Sequence, residues 1–351
     1  MAERAAQRPA LFVTTQVPPD RVGAFRALAA LRPVEFALFG GGLHATGGVR
    51  DHGLNARYVS EREVLRLAAS GRYEAVLAGT VGRVALPAAW LGAERARVPF
   101  VLWSALWAHP RSPAHLPGAL LLRVLYRRAE TVVTYGAHVS QLARACGARQ
   151  TIVAPQAVDV AYWSAAAEVA PPPGPPRVLY VGRDDPGKGA GTLLAAWQVG
   201  GFARRGGELL LAGPEPRRAA QLDGVTALGL VAPHRVRELL GDATVVVVPS
   251  ERTATFREPW GLVVNEAMHA RRLVVASTEV GAVAGGLLEH ERTGLVFPAG
   301  RADALAAGLR RALDDAPLRS RLAAAGQQRA QQYTWDAWAA AVASALGGSL
   351  A

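Results

Sequence analysis

Short apolar runs alternate with segments of helical spacing along most of this chain, and that alternation restricts its fold more than any other feature. Runs at residues 10–14, 34–39, 75–78, 100–103 and 131–134 read as strands, with helical patterns such as 21–31 between them. A further helix is expected to open at Ser60, with Glu63 three residues on in the spacing of a capping box. Strand, helix and strand repeated in this way predict a parallel sheet covered on both faces, whose ligands bind beyond the carboxyl ends of the strands. The alternation stops at 165–176, where alanines give way to a proline-rich run that can neither pair in a sheet nor continue a helix. It resumes with strands expected at 178–181, 208–212, 225–228, 244–248, 273–276 and 295–297. The reading is therefore α/β, with a first domain at 1–165, a linker at 166–176 and a second domain at 177–332. The final helical segment, 333–351, is expected to pack back on the first domain through Trp335 and Trp338.

Half of the residues are hydrophobic, enough for each domain to hold its own core. Cys146 is the only cysteine and has no metal-ligand spacing around it, which suits a reducing cytoplasm. The apolar run at 10–13 is too short for a signal peptide, and no run approaches the roughly 18 apolar residues of a membrane span. A formal charge of +11 suggests nucleic acid, yet the arginines are scattered and no nucleic-acid-binding module or stacking motif is present. Residues 117–128 form a cationic amphipathic pattern, with Arg123, Arg127 and Arg128 among leucines and valine. This is either an ordinary surface helix, the favoured reading, or a peripheral contact with an acidic membrane.

The chemistry centres on the turn after the 178–181 strand, Gly182-Arg183-Asp184-Asp185-Pro186-Gly187-Lys188-Gly189. Glycines allow close approach, the following helix N-terminus favours negative charge, and Arg183 and Lys188 add two cations, so a phosphate or pyrophosphate fits there. Of the 39 basic side chains, Lys188 is the only lysine, a compact charge where every other is a planar fork. Gly182, Gly187 and Lys188 also match the first part of a P-loop, but Gly189 stands where a Mg²⁺-binding hydroxyl is required, so a P-loop NTPase is disfavoured. Asp184 and Asp185 read as solvated turn residues, and no metal is assigned.

A second stretch, Arg257-Glu-Pro-Trp-Gly-Leu-Val-Val-Asn-Glu-Ala-Met, suits a turn into a helix. Glu258 falls in its loop and Glu266 inside the helix, each able to accept paired hydrogen bonds from vicinal hydroxyls. Backbone N–H groups of Trp260, Gly261 and Leu262 are expected to point into the same crevice.

Together these stretches resemble the retaining GT-B glycosyltransferases of the "group 1" type, similar to glycosyltransferase family 4. The resemblance rests on Val178-Leu-Tyr-Val-Gly-Arg-Asp-Asp-Pro-Gly-Lys-Gly, Val246-Val-Val-Pro-Ser, Glu258-Pro-Trp-Gly-Leu-Val-Val-Asn-Glu-Ala-Met and Thr293-Gly-Leu-Val-Phe, in that order. It implies two Rossmann-like domains facing across a cleft, and transfer of a sugar, a hexose by analogy, from a UDP- or GDP-linked donor with retention and without a metal or cofactor. Arg183 and Lys188 would contact the diphosphate with Gly182 and Gly189, Glu258 the donor sugar and Glu266 the ribose. Backbone near Leu230 and Val231 would hold the base. His109 is similar in position to a histidine that contacts the donor sugar. The first domain departs from the pattern: Gln156-Ala157 replaces Asn-Gly, and only Gly23 stands near the expected glycine pair after the first strand. The acceptor, a glycan, a lipid-linked intermediate or a small molecule, is not specified, and the site of action implied is the cytoplasm, with the inner membrane face as the peripheral option.

Overall fold

A computed structural model describes residues 8–40, 49–168, 174–213 and 221–347. Most of the glycine-rich stretch 40–48 and part of the proline run lie outside them. The chain divides into two compact units, the first running to Ala157 and taking in the C-terminal helix Trp335–Ala345, the second running from Val158 to Tyr333.

The first unit is a seven-stranded parallel sheet of β1 (Ala10–Thr14), β2 (Val34–Leu38), β3 (Ala56–Tyr58), β4 (Val76–Gly79), β5 (Phe100–Ser104), β6 (Thr131–Thr134) and β7 (Thr151–Val153). Its order, β3-β2-β1-β4-β5-β6-β7, reverses direction between β1 and β4. The inner strands β1, β2 and β6 are buried along their whole length and mostly apolar, because helices cover both faces. The edge strands β3 and β7 have three residues each and are partly exposed, so their sequences carry no apolar run. One face packs Phe12, Phe25 and Phe36 against Trp103 and Trp338, the last wholly buried. Here the C-terminal helix lies along Val22–Leu31, and Gly23 makes room for it: a Cβ there would sit 2.0 Å from the Trp335 ring. The one glycine near the first strand thus serves helix packing. On the other face Val64, Leu86, Leu125, Tyr126 and Cys146 share a core. Ser60 opens a turn instead of a helix. Glu63 accepts from its backbone N–H at 2.7 Å and its hydroxyl at 2.8 Å, and the helix proper begins at Glu63.

The second unit holds a six-stranded parallel sheet of β8 (Arg177–Val181), β9 (Glu208–Ala212), β10 (Val225–Gly229), β11 (Val245–Val248), β12 (Leu273–Ser277) and β13 (Leu295–Phe297). The order β10-β9-β8-β11-β12-β13 reverses between β8 and β11. The short helix Val160–Ser164 and the 3₁₀ turn Ala165–Glu168 pack in this unit, not the first. Arg237 covers the Tyr162 ring at 4.2 Å, and Arg272 donates to the Ala166 carbonyl at 3.2 Å. These contacts draw residues 158–168 away from the domain and linker expected from the proline run.

Candidate functional site

The loops leaving β8 and β11 emerge side by side, although a helix, the strands β9 and β10 and a second helix separate their strands in sequence. At such a reversal the connections run to opposite sides and leave a crevice at the carboxyl edge. The β8 loop is pinned from within: Asp185 accepts from the Gly187 N–H at 2.8 Å, capping the 3₁₀ turn Pro186–Lys188. Gly189 then takes a left-handed conformation at φ 71° and starts the helix Ala190–Gly200. A Cβ at Gly189 would lie 1.9 Å from the Pro249 carbonyl oxygen, and one at Gly187 would lie 2.2 Å from Phe256. The position that a P-loop fills with serine or threonine therefore has room only for hydrogen.

The β11 loop is stitched onto this turn. Glu251 donates its backbone N–H to the Gly187 carbonyl at 2.9 Å, and its carboxylate accepts from Thr192 Oγ1 at 2.5 Å. Seventy residues apart in sequence, Lys188 and Glu258 meet at 2.5 Å, and Ser250 Oγ donates to the same Oε2 at 3.1 Å. Glu258 is buried and the Lys188 side chain is 19% exposed. The ammonium also lies 5.5 Å from the Phe256 ring centroid. Arg183 is exposed and makes no ion pair among the described residues. Burial, then the carboxylates of Glu258, Asp184 and Asp185, push the Tyr180 phenol well above its ordinary range, so it stays neutral beneath the turn.

Glu258 keeps its place through a parallel bridge to Val280, and Arg257 beside it is held by Glu279 at 2.5 and 3.3 Å. Gly281 lets this segment close: a Cβ there would fall 2.0 Å from the Pro259 carbonyl oxygen. Gly261, at φ 86°, turns the chain into the helix Val263–His269. The Trp260 side chain belongs to the core, its indole N–H donating to Asn265 Oδ1 at 2.7 Å. Glu266 is partly buried on the same helix. At the carboxyl end of β10, Leu230 is 77% exposed and Val231 partly buried. Lys188, Glu258, Gly182, Gly189, Trp260, Gly261, Leu262, Glu266, Leu230 and Val231 thus all lie in loops or helix starts beyond the carboxyl ends of this one sheet. Ser250, Glu251, Thr192 and Phe256 were not singled out from the sequence. The first two could have been, because they directly follow the strand at the reversal.

His109 lies in the first unit, where its Nε2 is 3.6 Å from Cys146 Sγ. Burial, and then the Arg123 charge, hold its imidazole below the ordinary range. Cys146 is buried beside it. Among the described residues no three His, Cys, Asp or Glu side chains gather as a metal site, and Asp185 is engaged as a cap.

His269, at the end of the helix that carries Glu266, is fully buried, and neither ring nitrogen has a hydrogen-bond partner among the described residues. Burial lowers its affinity for a proton. A histidine with a depressed folded pKa binds more protons unfolded than folded once the pH drops below the unfolded value. The stability it contributes is therefore present above about pH 6.5 and is lost on acidification, at no more than about 1.4 kcal/mol per pH unit. Chemical denaturation from pH 7.5 to 5.5 is expected to show this slope for the second unit, and His269→Leu to flatten it; an unchanged slope would assign it elsewhere.

Residues 175–315, all within the second unit, match the family described as "Glycosyl transferases group 1". An alpha-D-kanosaminyltransferase of Streptomyces kanamyceticus is 32% identical over 159 residues, which span 42% of this chain and 39% of that protein. The chain thus aligns with well under half of this curated relative. Two solved structures share the fold of the whole chain. One is the HepE protein of Anabaena, crystallised with UDP and glucose, at TM-score 0.75, 20% identity and coverage of 97% of this chain and 100% of that one. The other is the sucrose-phosphate synthase of Thermosynechococcus elongatus, at TM-score 0.69, 21% identity and coverage of 96% and 98%. The resemblance carried by the four motifs is accordingly found in sequence, and the two parallel-sheet domains of the GT-B fold are found in structure.

Proposed function

We propose that this chain, whose second unit is similar to the group 1 glycosyltransferases, transfers a sugar, a hexose by analogy, from a nucleoside-diphosphate donor to an acceptor with retention at the anomeric carbon. One observation carries the reading: Lys188 and Glu258, drawn from two loops, meet beside Ser250 at the strand reversal of the second sheet. A bound donor would set its diphosphate against Arg183, Lys188 and the N–H groups near Gly189. As the glycosidic bond lengthens, negative charge grows on the diphosphate while the sugar gains oxocarbenium character. Cations fixed in advance lower that barrier without moving. Lys188 is fixed by Glu258, the residue this reading assigns to the donor sugar. Glu266 takes the ribose, and backbone beyond β10 at Leu230 and Val231 the base. Retention follows from attack by the acceptor on the face the leaving group departs. In this reading no metal takes part, since the arginine and lysine neutralise the phosphates.

The relatives support a sugar-nucleotide donor: one is named for kanosaminyl transfer and another was crystallised with UDP and glucose. We place the work in the cytoplasm, with the inner face of a membrane as the peripheral option, on a glycan, a lipid-linked intermediate or a small molecule as acceptor. The test is incubation with UDP- and GDP-sugars followed by proton NMR of the product. Release of nucleoside diphosphate with an anomeric coupling that matches the donor supports the reading, and an inverted product contradicts retention. Glu266→Ala is expected to weaken binding of the nucleoside diphosphate by about tenfold, the worth of one charge-assisted hydrogen bond. Calorimetry that returns the wild-type affinity would remove Glu266 from the ribose.

A further inference from the structure

The helix Leu116–Arg128 of the first unit turns only part of its surface inward: Leu125 and Tyr126 are fully buried in the sheet core. Its outer face is not polar. Leu116, Leu120 and Val124, 60%, 55% and 43% exposed, recur every fourth residue and therefore form one line along the helix. Arg128, four residues after Val124, ends that line, and Arg123 and Arg127 lie together along one side of it, all three exposed. From Arg111 to Arg128 the sequence holds four arginines and a histidine and no carboxylate, in a chain of net charge +11. An ordinary solvated helix face intersperses charges of both signs and keeps its leucines inward. A protein partner of mixed charge would leave several guanidinium groups unpaired. A surface that is apolar below and uniformly anionic above satisfies both features: leucines enter the acyl boundary and arginine stems rise along them to the headgroup phosphates.

We propose that this face docks on a bilayer rich in anionic phospholipid, with Leu116, Leu120 and Val124 as the inserted line and Arg123, Arg127 and Arg128 as the headgroup contacts. The inference gives a surface to the membrane-side location proposed above, and its binding measurement does not depend on turnover. No helix among the described residues is long and apolar enough to cross a membrane, so the attachment is peripheral.

Flotation of the full chain with vesicles of phosphatidylcholine alone or enriched in phosphatidylglycerol tests it. The chain is expected to float with the anionic vesicles only, and less so at high salt. Arg123→Gln, Arg127→Gln and Arg128→Gln together should lower partitioning on the order of a hundredfold. Leu116→Ser, Leu120→Ser and Val124→Ser together should abolish it, with circular dichroism unchanged because all three sites are exposed. Hydrolysis of a soluble sugar nucleotide without vesicles should be the same in both triple variants, so loss of flotation and loss of the glycosyltransferase reading are separate results. Failure to float, flotation unaffected by either set, or a dimer that only the serine variant breaks would overturn the proposal, the last by assigning the line to a second copy.

Discussion

Lys188→Ala is expected to slow sugar transfer by on the order of 10²–10³-fold, the loss that follows removal of one preorganised group facing developing negative charge. The same variant should also lose stability, because it strands a buried carboxylate: Glu258 would keep Ser250 as a donor but lose its cation. Breaking a buried pair from one side costs about 3–5 kcal/mol. Lys188 is 19% exposed, so water reaching the gap should hold the loss toward the lower end. Both effects reduce activity, and the double variant Lys188→Met with Glu258→Gln separates them. With no charge left to strand, its stability should return close to the wild-type value, while transfer stays low because neither the cation nor the carboxylate is restored. Recovery of both stability and turnover would show that the pair is only structural.

Gly189→Ala should be among the most destabilising single changes in the second unit. A methyl group at 1.9 Å from a backbone carbonyl oxygen has no rotamer through which to escape, since Pro249 O belongs to the chain that ends β11. The left-handed backbone at φ 71° adds about 1–2 kcal/mol for any residue with a Cβ. Relief requires separating the two loops, which would also pull apart the Glu251 bond to Gly187 and the Lys188–Glu258 pair. A loss of about 4 kcal/mol or more is expected, in the range reserved for clashes that the fold cannot absorb. Urea denaturation checks it. Gly191→Ala, two residues on and with nothing within 4 Å of its Cβ, serves as the control and should be neutral or slightly stabilising. A Gly189→Ala variant as stable as that control would mean that the two loops are not locked together.

Much of the fold could be read in the residues because a parallel sheet covered on both faces writes itself as apolar runs. Val245–Val248 is four valines, all buried, and Glu208–Ala212 and Thr131–Thr134 begin and end where their composition changes. What stayed hidden has physical causes. Ala56–Tyr58 and Thr151–Val153 are edge strands with one flank in solvent, so nothing forces them to be apolar. Residues 158–168 look like the end of a first domain until Arg272 and Arg237 are seen to hold them, through contacts distant in sequence. At the site, the turn around Lys188 was legible from glycine and charge, and Glu258 from its Pro-Trp-Gly context. The union of the two was not, because it depends on strand order, which places β8 next to β11. Glu251 and Thr192 show no motif; their role exists only once the loops lie together. His109, after β5, likewise meets Cys146 only through the fold, since its partner lies 37 residues on.

The donor site itself is tested most directly by calorimetric titration of the full chain with UDP, GDP and ADP, each with and without EDTA, repeated on Lys188→Gln. One diphosphate should bind with an affinity that chelation does not change, and the variant should bind it on the order of tenfold more weakly or worse, the worth of one lost charge-assisted contact. Equal affinity in the variant, or binding that disappears with EDTA, would contradict a metal-free diphosphate clamp built on Lys188.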